Sequence, residues 1–129
     1  LAREEMDMVS IGLAFTKEDS LAIVEGARPH IFCYHAGTTK GGLTGYDNGS
    51  TIEETAAESE DVYAAVRKID PNVILVGHGA AMETPEDAQY MLDNTSGHGF
   101  WTGSSTERIP IERAVTAAAD EFTALKFSK

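Results

Sequence analysis

His78 stands between two glycines, in Gly77-His78-Gly79, directly after the apolar run Val73-Ile74-Leu75-Val76. Imidazole titrates near neutrality, so a histidine at the end of a buried strand suits general acid–base work or the holding of an oxyanion. The alternative is a buried histidine hydrogen-bonded to a neighbour's backbone. His35 closes a second apolar run, residues 30–34, and opens a glycine-rich stretch. Adjacent strands would bring His35 and His78 to one rim, where both could shuttle protons. The alternative for His35 is a cap on its strand.

A second pattern follows Gly99-Phe100-Trp101-Thr102, where the chain breaks into Gly103-Ser104-Ser105-Thr106-Glu107-Arg108. Glycine lets the backbone approach an anion, and two hydroxyls add donors. Gly77 and Gly79 would offer the same access beside His78. Arg108 could clamp a carboxylate or phosphate bidentately. The alternatives are a plain strand-to-helix turn with Ser or Thr caps and an ion pair of Arg108 with Glu107. Thr38 and Thr39 could donate to a carboxylate from the loop over residues 37–49. That loop is long enough to serve as a lid with glycine hinges. These features point to a small anionic ligand, one carrying a phosphate above all.

The elements that must position these groups are legible as an alternation. Residues 9–15 read as an apolar strand, and Thr16 caps a helix with Asp19 as its partner. Residues 30–34 form the second strand. A helix runs from Thr51 to Ile69, with Val62, Ala65, Val66 and Ile69 at helical spacing, and Asp70-Pro71-Asn72 stops it. Residues 73–76 are the third strand. Pro85 opens a helix to about Asn94, with Ala88, Met91 and Leu92 inward. A short strand lies near residues 98–102. A last helix starts at Pro110, with Ile111, Ala114, Val115, Ala118, Phe122 and Leu125 on one stripe. Residues 1–8 read as the tail of an earlier helix.

Strands apolar on both faces, alternating with helices, predict an α/β protein with a parallel sheet. Ligands of such sheets sit at the carboxyl ends of the strands. His30 and His98 fall at strand starts and read as structural. Phe100 and Trp101 read as core, and Cys33 as an inert buried thiol. Glu53, Glu54, Glu58, Glu60 and Asp61 read as a solvated helix face.

Composition narrows the function. The 129 residues suit one domain with a modest core. A net charge of -11 and a pI near 4.6 argue against nucleic acid and anionic membrane surfaces. No run of about 18 apolar residues exists to span a membrane. The lone Cys33 and the unremarkable N-terminus fit a reducing compartment, hence the cytoplasm. No histidine pair has zinc-like spacing, and no carboxylates cluster at strand ends, so no metal ligands are assigned.

The ordered set Gly77-His78-Gly79-Ala80, Thr84-Pro85-Glu86-Asp87-Ala88, His98-Gly99-Phe100 and Gly103-Ser104-Ser105-Thr106-Glu107-Arg108-Ile109-Pro110 resembles the phosphoenolpyruvate hydrolase-like family of TIM barrels. The segment Ile31 to Tyr34 with His35, Thr38-Thr39 and Gly41-Gly42 is similar to the matching strand and loop. Two places depart from the family pattern: Phe15-Thr16-Lys17-Glu18-Asp19 aligns loosely with its acidic turn, and Gly79-Ala80-Ala81 stands where relatives read Gly-Gly-Pro.

A complete (β/α)8 barrel takes about 250 residues. The resemblance therefore implies that residues 1–129 are a parallel (β/α)4 half-barrel, the C-terminal half, units five to eight. It implies an enzyme of hydrolase or lyase type, with an anion held by the loops after the last two strands. Enzymes that handle phosphoenolpyruvate often use Mg2+, and this half supplies no acids for it. Leu1 is not a methionine start, which fits a fragment or a processed product. Two open sheet edges call for a partner, either a second copy or an N-terminal half-barrel. The alternative to an enzyme is a non-catalytic binding or assembly module on the same scaffold.

Overall fold

A computed structural model describes residues 2–45 and 49–126. The order is β1 (Ile11–Ala14), α1 (Lys17–Ala27), β2 (Ile31–His35), α2 (Ile52–Ile69), β3 (Ile74–His78), α3 (Pro85–Asn94), β4 (Gly99–Phe100) and α4 (Arg108–Thr123). The helices begin where the sequence supplies caps. Thr16 accepts from the Asp19 amide, and Thr51 with Glu54 and Thr84 with Asp87 form reciprocal capping boxes. Asp70 ends α2 by accepting from the Asn72 amide at 2.9 Å, a turn that Pro71 sets up.

All strands are parallel and lie in the order β1-β2-β3-β4. Sequential parallel neighbours require every crossover to return on the same side. One face of the sheet therefore receives the helices and the other faces away from them. Phe32, Tyr34 and Leu75 point into the helix layer, where they pack with Val24, Val62, Tyr63 and Val66. Each such side chain, once fully buried, contributes roughly 1.5–3 kcal/mol. The architecture is a parallel (β/α)4 half-barrel.

Several sequence expectations change. The strands are not buried on both faces along their whole length: Cys33 is buried on the concave one, but among the described residues no second layer covers its edges. Ile11 is 50% exposed and Ile74 46% exposed. The first strand keeps only four residues, leaving Val9 and Phe15 exposed outside it. Residues 2–5 form a turn, closed by the Met8 amide on the Ala2 carbonyl, rather than a helix end. Leu92 faces solvent instead of the core. The last helix begins at Arg108, two residues before Pro110, and its stripe is uncovered: Ile111, Val115, Phe122 and Leu125 are all exposed, and only Ile109 is buried. Among the described residues, no helix is long and apolar enough to cross a membrane.

Candidate functional site

Register decides what meets at the rim. His35 and His78 are opposed Cα partners at the carboxyl ends of β2 and β3. Their rings touch edge to face, with centroids 4.6 Å apart. Phe15, just beyond β1, lies 4.4 Å from the His35 ring, and Trp101, just beyond β4, lies 6.2 Å from that of His78. Four rings thus cross the sheet in one row, one per strand.

The connections after β2 and β3 hold this row rigid. The Ala36 amide donates to the His78 carbonyl, the Ala80 amide to Gly37, and the Lys40 amide to Ala80. Gly79 has φ +85, and a Cβ there would run into the Gly37 carbonyl oxygen. Only glycine fits that close approach.

The imidazoles present opposite chemistry. His78 Nδ1 lies 2.7 Å from the Trp101 carbonyl oxygen. A carbonyl only accepts, so Nδ1 carries the proton and Nε2 keeps its lone pair. His35 Nδ1 accepts from the Gly37 amide at 3.2 Å, which puts the proton of the neutral ring on Nε2. One ring can therefore take a proton and the other can donate a hydrogen bond. Burial, and then the charge of His78, hold His35 below its ordinary value, favouring the neutral ring. The same tautomers argue against shared metal ligation, since Nε2 of His35 has no free lone pair. Among the described residues, no three His, Cys, Asp or Glu side chains gather as a metal site.

The Gly103 turn sits against His78. A Cβ on Gly103 would lie 3.0 Å from His78 Cε1. The carbonyls of Gly103 and Ser104 accept from Thr106, Glu107 and Ile109 as α4 begins. The amides of Ser104 and Ser105 make no hydrogen bond among the described residues. Glu107, at the start of α4, supplies no side-chain cap. These amides belong to the turn that leads into α4, and unused turn amides can bind anions.

Other sequence candidates fall elsewhere. Gly77 faces the helices, with the Tyr63 hydroxyl 3.2 Å from where its Cβ would be. Arg108 turns to the Gly41 carbonyl at 3.0 Å and to Glu112 at 3.2 Å. Thr38 is exposed on the loop, and Thr39 is buried. The loop reaches α4 instead: Glu112 accepts from the Leu43 amide at 2.7 Å, which fastens residues 41–45 to that helix. Residues 46–48 of the loop lie outside the described residues. His30 and His98 accept from the Ser10 and Leu75 amides at the far end of the sheet, which suits structural roles.

Sequence reasoning missed Phe15, the Trp101 carbonyl and Glu112. Trp101 was expected in the core and is 43% exposed. Parity with Leu13 could have placed Phe15 on the face that carries His35. The spacing of Arg108 and Glu112, one helical turn, could have paired them. A cavity of about 600 Å3 lies instead at the amino ends of the strands, by Arg3, His30 and Asp70. It is remote from His35 and His78, whose rim opens onto the concave face.

The family model for phosphoenolpyruvate hydrolase-like proteins matches residues 1–125. Two curated relatives come from Solanum lycopersicum. "ToMV susceptible protein tm-1(GCR26)" is 32% identical over 121 residues, 93% of this chain, and "ToMV resistance protein Tm-1(GCR237)" is 32% identical over 125 residues, 96% of this chain. The chain spans 16% of the length of either relative. With the rim motifs in register and the match running across the strands that carry them, the chain belongs to the phosphoenolpyruvate hydrolase-like family.

Proposed function

We propose that the rim binds a small phosphorylated or carboxylated substrate and cleaves or rearranges it by proton transfer. The observation that carries this reading is the ring contact of His35 with His78, which itself lies against the Gly103 turn. The amides and hydroxyls of Ser104 and Ser105 hold the anion, with Gly103 allowing its approach. His78 Nε2 takes a proton from water or substrate, and the neutral His35 donates a hydrogen bond from Nε2–H to the oxygen that develops charge. The loop with Thr38 covers the site, held to α4 through Arg108 and Glu112. The acidic body requires the anion site to be local, made of backbone amides rather than a basic patch.

Thermal shift with phosphate, sulfate and phosphoenolpyruvate tests the pocket, since a bound anion raises the melting temperature. Phosphate release from phosphoenolpyruvate, followed by 31P NMR, tests the chemistry. His78→Ala should lower turnover by about 100-fold or more, the usual size of acid–base catalysis, with binding retained. Undiminished turnover in His78→Ala would end the proton-transfer assignment.

One observation favours a second reading. The names of the two Solanum lycopersicum relatives describe ToMV susceptibility and resistance, not an activity. A binding module would show the thermal shift and no turnover of any phosphorylated or carboxylated substrate.

A further inference from the structure

Phe15 joins the rim row from β1, and its backbone is fixed on both sides. Ala14 is the Cα partner of Tyr34, so the next residue, Phe15, comes level with His35. Thr16, one residue further, is extended and caps α1 by accepting from the Asp19 amide. Leu13 and Cys33 are register partners earlier in the same two strands, so strand alternation sends Phe15 and His35 to one side of the sheet. The two rings meet with centroids 4.4 Å apart and planes 35° from parallel, a tilted stack.

The imidazole has little else to hold it. Among the described residues its ring makes one hydrogen bond, accepted at Nδ1 from the Gly37 amide at 3.2 Å. That length is the weak end of the N–H range, so the bond alone resists rotation about Cβ–Cγ poorly. From β3, His78 touches the ring edge to face, and the Gly79 backbone comes so close that a Cβ there would lie 3.1 Å from His35 Cε1. Sheet order puts β2 between β1 and β3. Phe15 is the ring contact on the β1 side.

We infer that Phe15 is the positioning residue of His35: stacked on the imidazole from the β1 side, it holds the ring against His78 and keeps Nε2–H aimed at one point of the rim. Its effect on turnover rests on the proton-transfer reading of the rim; its effect on the ring rests on contacts between neighbouring strands alone. A hydrogen-bond donor displaced by about 1 Å loses about 100-fold in rate. The titratable group that faces His35 is His78, while Phe15, Gly37 and Gly79 bring no side-chain charge. Phe15 also keeps water from part of the ring, in line with burial as the first cause that holds His35 below 6.5.

Two substitutions separate the ring from its bulk. Phe15→Leu keeps an apolar side chain and removes the stack, and Phe15→Tyr keeps the stack. Phe15 lies outside the buried core, so both variants should retain the parental circular dichroism. Carbon-13 relaxation at His35 Cε1 should report a freer ring in Phe15→Leu and a parental one in Phe15→Tyr. The Gly37 amide should exchange faster in Phe15→Leu alone. With phosphoenolpyruvate as substrate, kcat should fall by about 10- to 100-fold in Phe15→Leu at unchanged KM, and Phe15→Tyr should restore it. A Phe15→Leu protein whose His35 ring and Gly37 amide match the parent overturns the inference, whatever its turnover. So does a Phe15→Tyr ring as loose as that of Phe15→Leu. An unaltered chain without turnover ends the proton-transfer reading, and the ring measurements still decide what Phe15 does. Should Phe15→Leu fail to fold, nuclear Overhauser contacts between the Phe15 and His35 rings of the unaltered chain decide: their presence supports the inference and their absence overturns it.

Discussion

His78 donates from Nδ1 to the Trp101 carbonyl oxygen across 2.7 Å. This bond ties the ring after β3 to the backbone after β4 and fixes which nitrogen faces a ligand. The neutral ring of His78 is expected to be the Nδ1–H tautomer. Long-range proton–nitrogen NMR spectra at neutral pH or above should show Nε2 with the shift of an unprotonated ring nitrogen. A protonated Nε2 there would remove the base from the site.

His35 makes stability fall with acid. Its folded pKa is lowered from 6.5, by burial first and by His78 second. The unfolded chain therefore binds this proton before the folded chain does. The contribution is fully present above pH 6.5 and is lost as pH drops through the lower folded value. His35→Asn keeps an acceptor for the Gly37 amide and has nothing to titrate. Urea midpoints measured between pH 8 and pH 5 should decline more steeply for the unaltered chain than for the variant. Parallel curves would mean the proton binds equally well in both states.

The fold was readable because β1 to β4 and α1 to α3 carry local signals that tertiary packing did not override. Thr51, Thr84 and Pro85 sit at helix starts for reasons that need no neighbours. His35 and His78 were readable as a pair because each follows an apolar run at the same offset. Arg108 was ambiguous because one of its partners, the Gly41 carbonyl, depends on where the 37–49 loop lies, and nothing local sets that; only its pairing with Glu112 had a local signal. Alternation of apolar residues in β1 says that two faces are apolar. It does not say that both are covered, so Ile11 and Phe15 were expected inside. Trp101 was misread for a related reason: the carbonyl it offers His78 belongs to the backbone and leaves no trace in residue type.

Gly79 is the position where a methyl group should do most damage. Its φ of +85 disfavours any side chain, and a Cβ would strike the Gly37 carbonyl oxygen and lie 3.1 Å from His35 Cε1. Left-handed strain and a forced backbone shift together put the cost of Gly79→Ala on the order of 3 kcal/mol. Urea unfolding should show a lower midpoint with little change in slope. The His35–His78 contact should loosen as well, seen as altered ring shifts. A variant as stable as the parent would mean that the two loops are not packed against each other.

Glu112 is the fastening of the glycine loop, and its loss should open the loop without unfolding the body. Its carboxylate accepts from the Leu43 amide at 2.7 Å and from the Thr44 hydroxyl at 3.3 Å, and it pairs with Arg108. The Leu43 amide is the main reason that its pKa lies below the ordinary 4.5. The fastening is therefore complete above pH 4.5 and is released only as pH falls through the lower folded value. Glu112→Ala removes three partners at once and leaves the buried core untouched. Hydrogen exchange at the Leu43 amide should quicken by about tenfold or more, the behaviour of a locally opening segment, while Leu75 in β3 keeps its protection. Equal protection of Leu43 in both proteins would show that the glycine loop is held by its own turns and not by α4.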